Sequence, residues 1–226
     1  HGRALPDPPG SAGVSSRVRI ALGALARAQG EPDLARSYVR DLLPDGATTP
    51  PGAMVWYHEG VQLQRLAVAL ALDAGDLPAA RAWLDAHDRW LGWSGALWGQ
   101  AEGQLGWAAY HRAAGDLAAA RTHAAAGLAQ ASAPRQPLAL LAAHRLLGEL
   151  DTAAGRHTGA QAHLDASLAL AGACAAPYER ALTLLALAEL RAATGDREGA
   201  DGPLAEARAT FVALEAAPAL ARSDTL

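Results

Sequence analysis

Catalysis needs polar side chains in groups, so the candidate groups come first. Besides His1, the histidines are His58, His87, His111, His123, His144, His157 and His163. None has the spacing of zinc ligands. His157 and His163 are six residues apart, which does not place them on one helix face. Asp85, His87 and Asp88 could imitate a catalytic cluster. Beside Arg81 and Arg89, a solvated helix face is the simpler reading. Cys174 has no base close in sequence and reads as a packed thiol. Gly92, Gly95, Gly99, Gly103 and Gly106 form a glycine-rich run. No Lys-Ser/Thr pair follows it, so it is not a phosphate cradle, and no HExxH occurs. Gly95, Gly99 and Gly103 would share one helix face, either for close packing or as a weak helix that opens to a ligand. Each Gly costs about 1 kcal/mol relative to Ala. The sequence therefore predicts no catalytic residue, metal or cofactor, and not an enzyme.

The aromatic residues are the second concentration. All six tryptophans fall between Trp56 and Trp107. Trp107 occupies a position filled elsewhere by Leu22, Leu147 and Leu187, which predicts a core residue. Trp90, Trp93 and Trp98 lie around the Gly92–Gly95 loop, where burial is not forced. Core filling and an exposed aromatic patch are both open there.

The elements that must position these residues are helical. Apolar residues are 51 % of the 226 and charged residues 19 %, enough for a buried core. Ala and Leu dominate, Val and Ile are scarce, and aromatics are 5 %, which suits helices rather than a large sheet. The net charge of −4 and pI near 6.1 argue against nucleic-acid binding by this segment. With one cysteine there is no internal disulfide, and a cytoplasmic location is expected. No apolar run reaches the 18 or so residues a membrane helix needs, and no signal peptide is visible. The chain starts at His1 and its one Met is Met54, so a piece of a longer protein is expected.

Internal repetition organises the rest. The phrases Ala74-Gly75-Asp76-Leu77, Ala114-Gly115-Asp116-Leu117, Ala154-Gly155-Arg156-His157 and Thr194-Gly195-Asp196-Arg197 place their glycines 40 residues apart. Gln29-Gly30-Glu31-Pro32 is a weaker fifth copy. Five residues after each glycine stands Ala35, Ala80, Ala120, Ala160 or Ala200. Five before stands Leu25, Leu70, Tyr110, Leu150 or Leu190. Offsets of three, four and seven on both sides of the glycine describe two helices per repeat. Glycine ends the first helix, because only Gly takes the left-handed C-cap without a steric penalty. Asp76, Asp116 and Asp196 suit the N-cap of the second helix. The small alanine marks a close helix crossing.

Pro- and Gly-rich breaks at 44–52, 92–95, 133–137 and 176–177 separate the repeats. The predicted helices are 15–29, 32–43, 53–74, 77–91, 95–114, 117–131, 136–154, 158–172, 178–194 and 197–214. Residues 1–13 read as a linker, 14–214 as the solenoid, and 215–226 as a frayed exit toward a missing C-terminal domain.

The pattern resembles the tetratricopeptide repeat, carried by Gly148-Gly155-Ala160, Gly75-Asp76-Ala80 and Gly115-Asp116-Ala120. The period of 40 exceeds the usual 34; HEAT-like repeats share the longer period but lack the Gly-Asp-x-x-x-Ala turn. The stretch from Ala176 to Leu190, followed by Thr194-Gly195-Asp196-Arg197-Glu198, resembles the repeat region of large bacterial LuxR-type ATP-dependent transcriptional regulators. Some multidomain adenylate cyclases carry similar repeats. The resemblance implies an all-α, right-handed superhelix of about five helical hairpins. It implies a non-catalytic signal-relay module that binds a protein or small-molecule effector, or alternatively a protein–protein scaffold. DNA would be bound through a missing C-terminal domain. By analogy with such domains, the concave face uses positions 13, 10, 6 and 3 before the turn glycine. The site so implied is Gln62, Arg65, Glu102, Arg112, Arg145 and Glu149, with Trp93 and Trp98 as an apolar wall.

Overall fold

The computed structural model describes residues 16–52 and 56–226. The linker read at 1–13 lies outside them. The described residues form eleven α-helices and no strand. They are α1 (Ser16–Gln29), α2 (Pro32–Leu42), α3 (Tyr57–Asp73), α4 (Leu77–Ser94), α5 (Gln100–Ala113) and α6 (Leu117–Ser132), then α7 (Pro137–Ala153), α8 (His157–Ala173), α9 (Pro177–Ala193), α10 (Arg197–Ala213) and α11 (Ala217–Ser223). The first ten pair into five hairpins. Each first helix packs on its own second helix and on the first helix of the next repeat.

The turns form as the residues dictate. Gly75, Gly115, Gly155 and Gly195 take φ of 71°, 82°, 70° and 81°. In each case the next residue's N–H reaches back to a carbonyl of the helix just ended; Asp76 N donates to Ala71 O at 2.9 Å. This wrap satisfies carbonyls that the helix end leaves free. Asp76, Asp116 and Asp196 then accept from the backbone N–H of Ala79, Ala119 and Gly199. The hairpin turns are thus closed by contacts within a few residues of the glycine.

Ala80, Ala120 and Ala160 are fully buried at the crossing of the paired helices. Ala120 packs with Ala108, Ala124, Leu147 and Leu150. Ala120→Leu should lower stability by about 1–3 kcal/mol through overpacking. An unchanged melting temperature would reject this register.

Three sequence expectations need correction. The glycine-rich stretch is not a continuous helix from 95. Gly95 closes α4 at φ 64°, and Gly99 at φ 97° delays α5 to Gln100, so only Gly103 of that trio is helical. α4 runs on to Ser94 rather than ending at 91, so Trp93 too is helical, while Trp90 is fully buried, as core filling expects. Residues 217–223, read as a frayed exit, form α11. Arg222 falls 40 residues after Leu182 and 120 after Glu102, so α11 keeps the register of another first helix. The solenoid curls tightly enough that α11 meets α1, with Pro218 packed against Gly30.

Candidate functional site

The first helices α3, α5, α7 and α9 lie side by side, and their charged residues meet across the repeat boundaries. Arg65 Nη1 of α3 stands 2.8 Å from Glu102 Oε1 of α5. Its guanidinium carbon lies 5.7 Å from the centroid of the Trp98 ring, within cation–π range. Arg112 of α5 donates to Glu149 of α7. Arg145 of α7 donates to Glu179 of α9. Arg222 of α11 holds Glu189 of α9 through two bonds of 2.9 and 2.7 Å and reaches Glu149 at 3.6 Å. The result is a ladder of ion pairs, each tying one repeat to another.

The charged residues of the implied site therefore each face an opposite charge across a repeat boundary. Arg65, Trp98 and Glu102 come together, as do Arg112 and Glu149. Arg145 turns to Glu179, a partner that the register did not include. Gln62 is half-buried on α3. Trp93 is 60 % exposed and packs against Gly52 of the preceding loop rather than over the charged ladder.

Glu149 is the centre of the ladder. Burial by itself would raise its carboxyl, but Arg112, Arg222 and Arg145 together hold it below the usual range. Glu149→Gln should cost about 1–2 kcal/mol, limited because both Arg112 and Arg222 can turn to water. Equilibrium urea unfolding measures this; no loss would show that the ladder contributes no stability.

Two histidine groups were missed. His87 does not lie on a solvated face: it is 1 % exposed, packed against Gly103 of α5. His144 Nδ1 of α7 meets His163 Nδ1 of α8 at 3.0 Å. One repeat earlier, Gln104 and His123 meet in the same way at 2.8 Å. Their shared separation of 19 residues was the available signal. Trp107 is half-buried rather than core. Its Nε1 donates to Asp88 at 2.9 Å, and it stacks on His123, which stacks on His111. Burial raises the Asp88 carboxyl, the Trp107 bond opposing, while burial and the neighbouring imidazole lower both His123 and His144. Cys174 is a free, half-buried thiol at the end of α8. Among the described residues, no three His, Cys, Asp or Glu side chains are placed to hold a metal ion. No helix among them is long and apolar enough to cross a membrane. What this surface offers is hydrogen bonding, paired charge and aromatic faces.

The fold is that of tetratricopeptide-like repeats. A signal transduction ATPase with numerous domains and a tetratricopeptide-repeat sensor, from Pyrococcus horikoshii, is similar over 92 % of this chain, with a TM-score of 0.63 and 12 % identity. This chain spans 31 % of that protein's length. A putative kinesin light chain from Podospora anserina, with nearly identical tetratricopeptide-like repeats, is similar over 86 % of this chain and 93 % of its own, with a TM-score of 0.54 and 17 % identity. A single-residue variant of that kinesin light chain gives a TM-score of 0.55. The sequence itself matches no family model and no curated protein.

Proposed function

We propose that the chain is the effector-binding, signal-relay repeat module of a cytoplasmic ATP-dependent regulator of the LuxR type. The observation that supports it most is the fit of nearly the whole chain to a protein in which tetratricopeptide repeats serve as the sensor of a signalling ATPase. The ladder gives the relay a physical route. Solenoid repeats stack mainly on their neighbours, so their stacking angles set the curvature. An effector that exchanges one inter-repeat ion pair for its own contacts shifts that angle. The shift then reaches whatever flanks the repeats. The kinesin-light-chain likeness favours a second reading, a protein–protein scaffold such as an adenylate cyclase could also carry.

The coding sequence on both sides decides between them. A nucleotide-binding module upstream and a helix-turn-helix downstream of Leu226 support the regulator. A stop codon or a cyclase domain after Leu226 sinks it. The acidic balance adds an expectation: this chain alone should not retard duplex DNA in a sequence-selective way at physiological salt.

A further inference from the structure

One repeat departs from the others at a single place, and several departures coincide there. The first helices α3, α7 and α9 begin at Tyr57, Pro137 and Pro177. With a period of 40, α5 should begin at Leu97; it begins at Gln100. Leu97, Trp98 and Gly99 have left the helix, between left-handed glycines at 95 and 99. Leu97 and Trp98 are 62 % and 39 % exposed. The segment is held from behind by the Tyr57 hydroxyl, which donates to the Trp98 carbonyl at 3.1 Å.

Beneath it the hydrogen-bonding account does not close. His87 is 1 % exposed, and neither ring nitrogen has a partner. A buried polar group left unmade costs more than an average hydrogen bond contributes, so two on one ring need a reason. The fold does not impose them. Ser167 occupies the equivalent position two repeats on, and it bonds both Leu141 O at 3.1 Å and Thr183 Oγ1 at 3.0 Å. Where Thr183 would stand, the α5 repeat has Gly103, and the imidazole fills that space with its Cε1 and Nδ1 3.0 Å from a would-be Cβ. His87 Nε2 lies 4.0 Å from where a Cβ on Gly99, the residue after Trp98, would be. Glu102 Oε2 is likewise buried without a partner, and Arg65 Nη1, though 2.8 Å from Glu102 Oε1, makes no aligned hydrogen bond.

The charges specify the ligand. Arg65 and Glu102 are matched, so a ligand of net charge would strand one of them. A purely apolar ligand would leave Glu102 Oε2 and the His87 nitrogens as they are. A zwitterion satisfies both: its carboxylate meets Arg65, its ammonium meets Glu102, and its apolar part lies against the Trp98 ring. We infer that the α3–α5 junction is a binding site for a free α-amino acid, with Arg65 and Glu102 as its two charge partners, His87 as the buried hydrogen-bonding group and the Leu97–Gly99 segment as its outer wall. The inference deepens the effector-binding part of the proposed function and does not rest on the identity of the flanking domains.

The test is titration of the folded chain with each of the standard L-amino acids singly, by calorimetry and by tryptophan emission. At least one should bind saturably, one per chain, and change the emission. Its N-acetyl and its carboxamide derivatives, each missing one charge, should bind at least about tenfold more weakly. Glu102→Gln and Trp98→Ala should each weaken binding by about tenfold or more while the far-ultraviolet circular dichroism stays that of the wild type. His87→Leu, which fills the space without polar nitrogens, should weaken binding without unfolding. No saturable binding at millimolar concentrations, equal binding of the derivatives, or Glu102→Gln binding as tightly as wild type would each overturn the site. The outcomes separate from those of the gene's context. A stop codon after Leu226 leaves amino-acid binding untouched, and a helix-turn-helix beside a chain that binds none removes this site alone.

Discussion

Trp90→Ala should lower the free energy of unfolding by about 3–5 kcal/mol, the range for truncating a fully buried aromatic residue. Trp90 is wholly inaccessible, and its ring lies directly against Gly60 of α3, with no room for even a methyl group there. Its indole N–H donates to the Thr49 carbonyl at 3.1 Å, in the loop between the first and second hairpins. Truncation opens a cavity and also leaves a buried carbonyl unpaired. Both costs fall on the junction of the first two repeats. For a chain of this size the melting temperature should fall by at least about 6 °C. Trp90→Phe, which keeps most of the ring but loses the donor, should cost less. Because repeats interact mainly with their neighbours, hydrogen exchange should accelerate most in α2, α3 and α4. An alanine variant that melts with the wild type would show that Trp90 does not hold this junction.

The fold was legible because the code for it is local. A glycine at C′, an aspartate at the N-cap and an alanine at the crossing are each set by one turn's geometry, and they recur at a fixed period. Element starts were legible only where the repeat keeps to that period: α5 departs because Gly99 takes a conformation that a repeat-averaged reading does not supply. The concave register named charged residues that meet across the repeats but not their state. Whether Arg112 is free or paired depends on how close α5 and α7 stand, which is a property of the superhelical curvature. A trace of it was present: Arg65 and Glu102, like Arg112 and Glu149, are opposite charges 37 residues apart, one repeat less one helical step. His87 was misread because Asp85, Asp88 and Arg89 beside it in sequence are exposed. One residue's displacement on a helix turns a side chain through about 100°, and His87 falls on the face toward α5.

Stability should fall steeply as the pH drops from 6.5 to 4, and His87 should carry the largest single part. Burial, reinforced by Arg65, lowers its pKa from 6.5 to about 4. Over that interval the unfolded chain binds a proton that the folded chain refuses, so acid favours unfolding. The full interval corresponds to about 3 kcal/mol, and the loss is complete only once the pH is below the folded value. His123, His144 and His163 are lowered as well and add in the same direction. Below about 4.5 the loss of the Glu149 carboxylate adds to it, since that group is held ionised by the arginines around it. Asp88, whose carboxyl is raised chiefly by burial, works the other way. The groups nearest the His87 imidazole make the effect specific. Arg65 on α3 repels a second positive charge. Urea unfolding at pH 7 and at pH 4 measures the difference. His87→Leu should keep its stability across the upper part of this range far better than the wild type does. Parallel pH curves for the two proteins would mean that the imidazole finds its proton, and a partner for it, in the folded state.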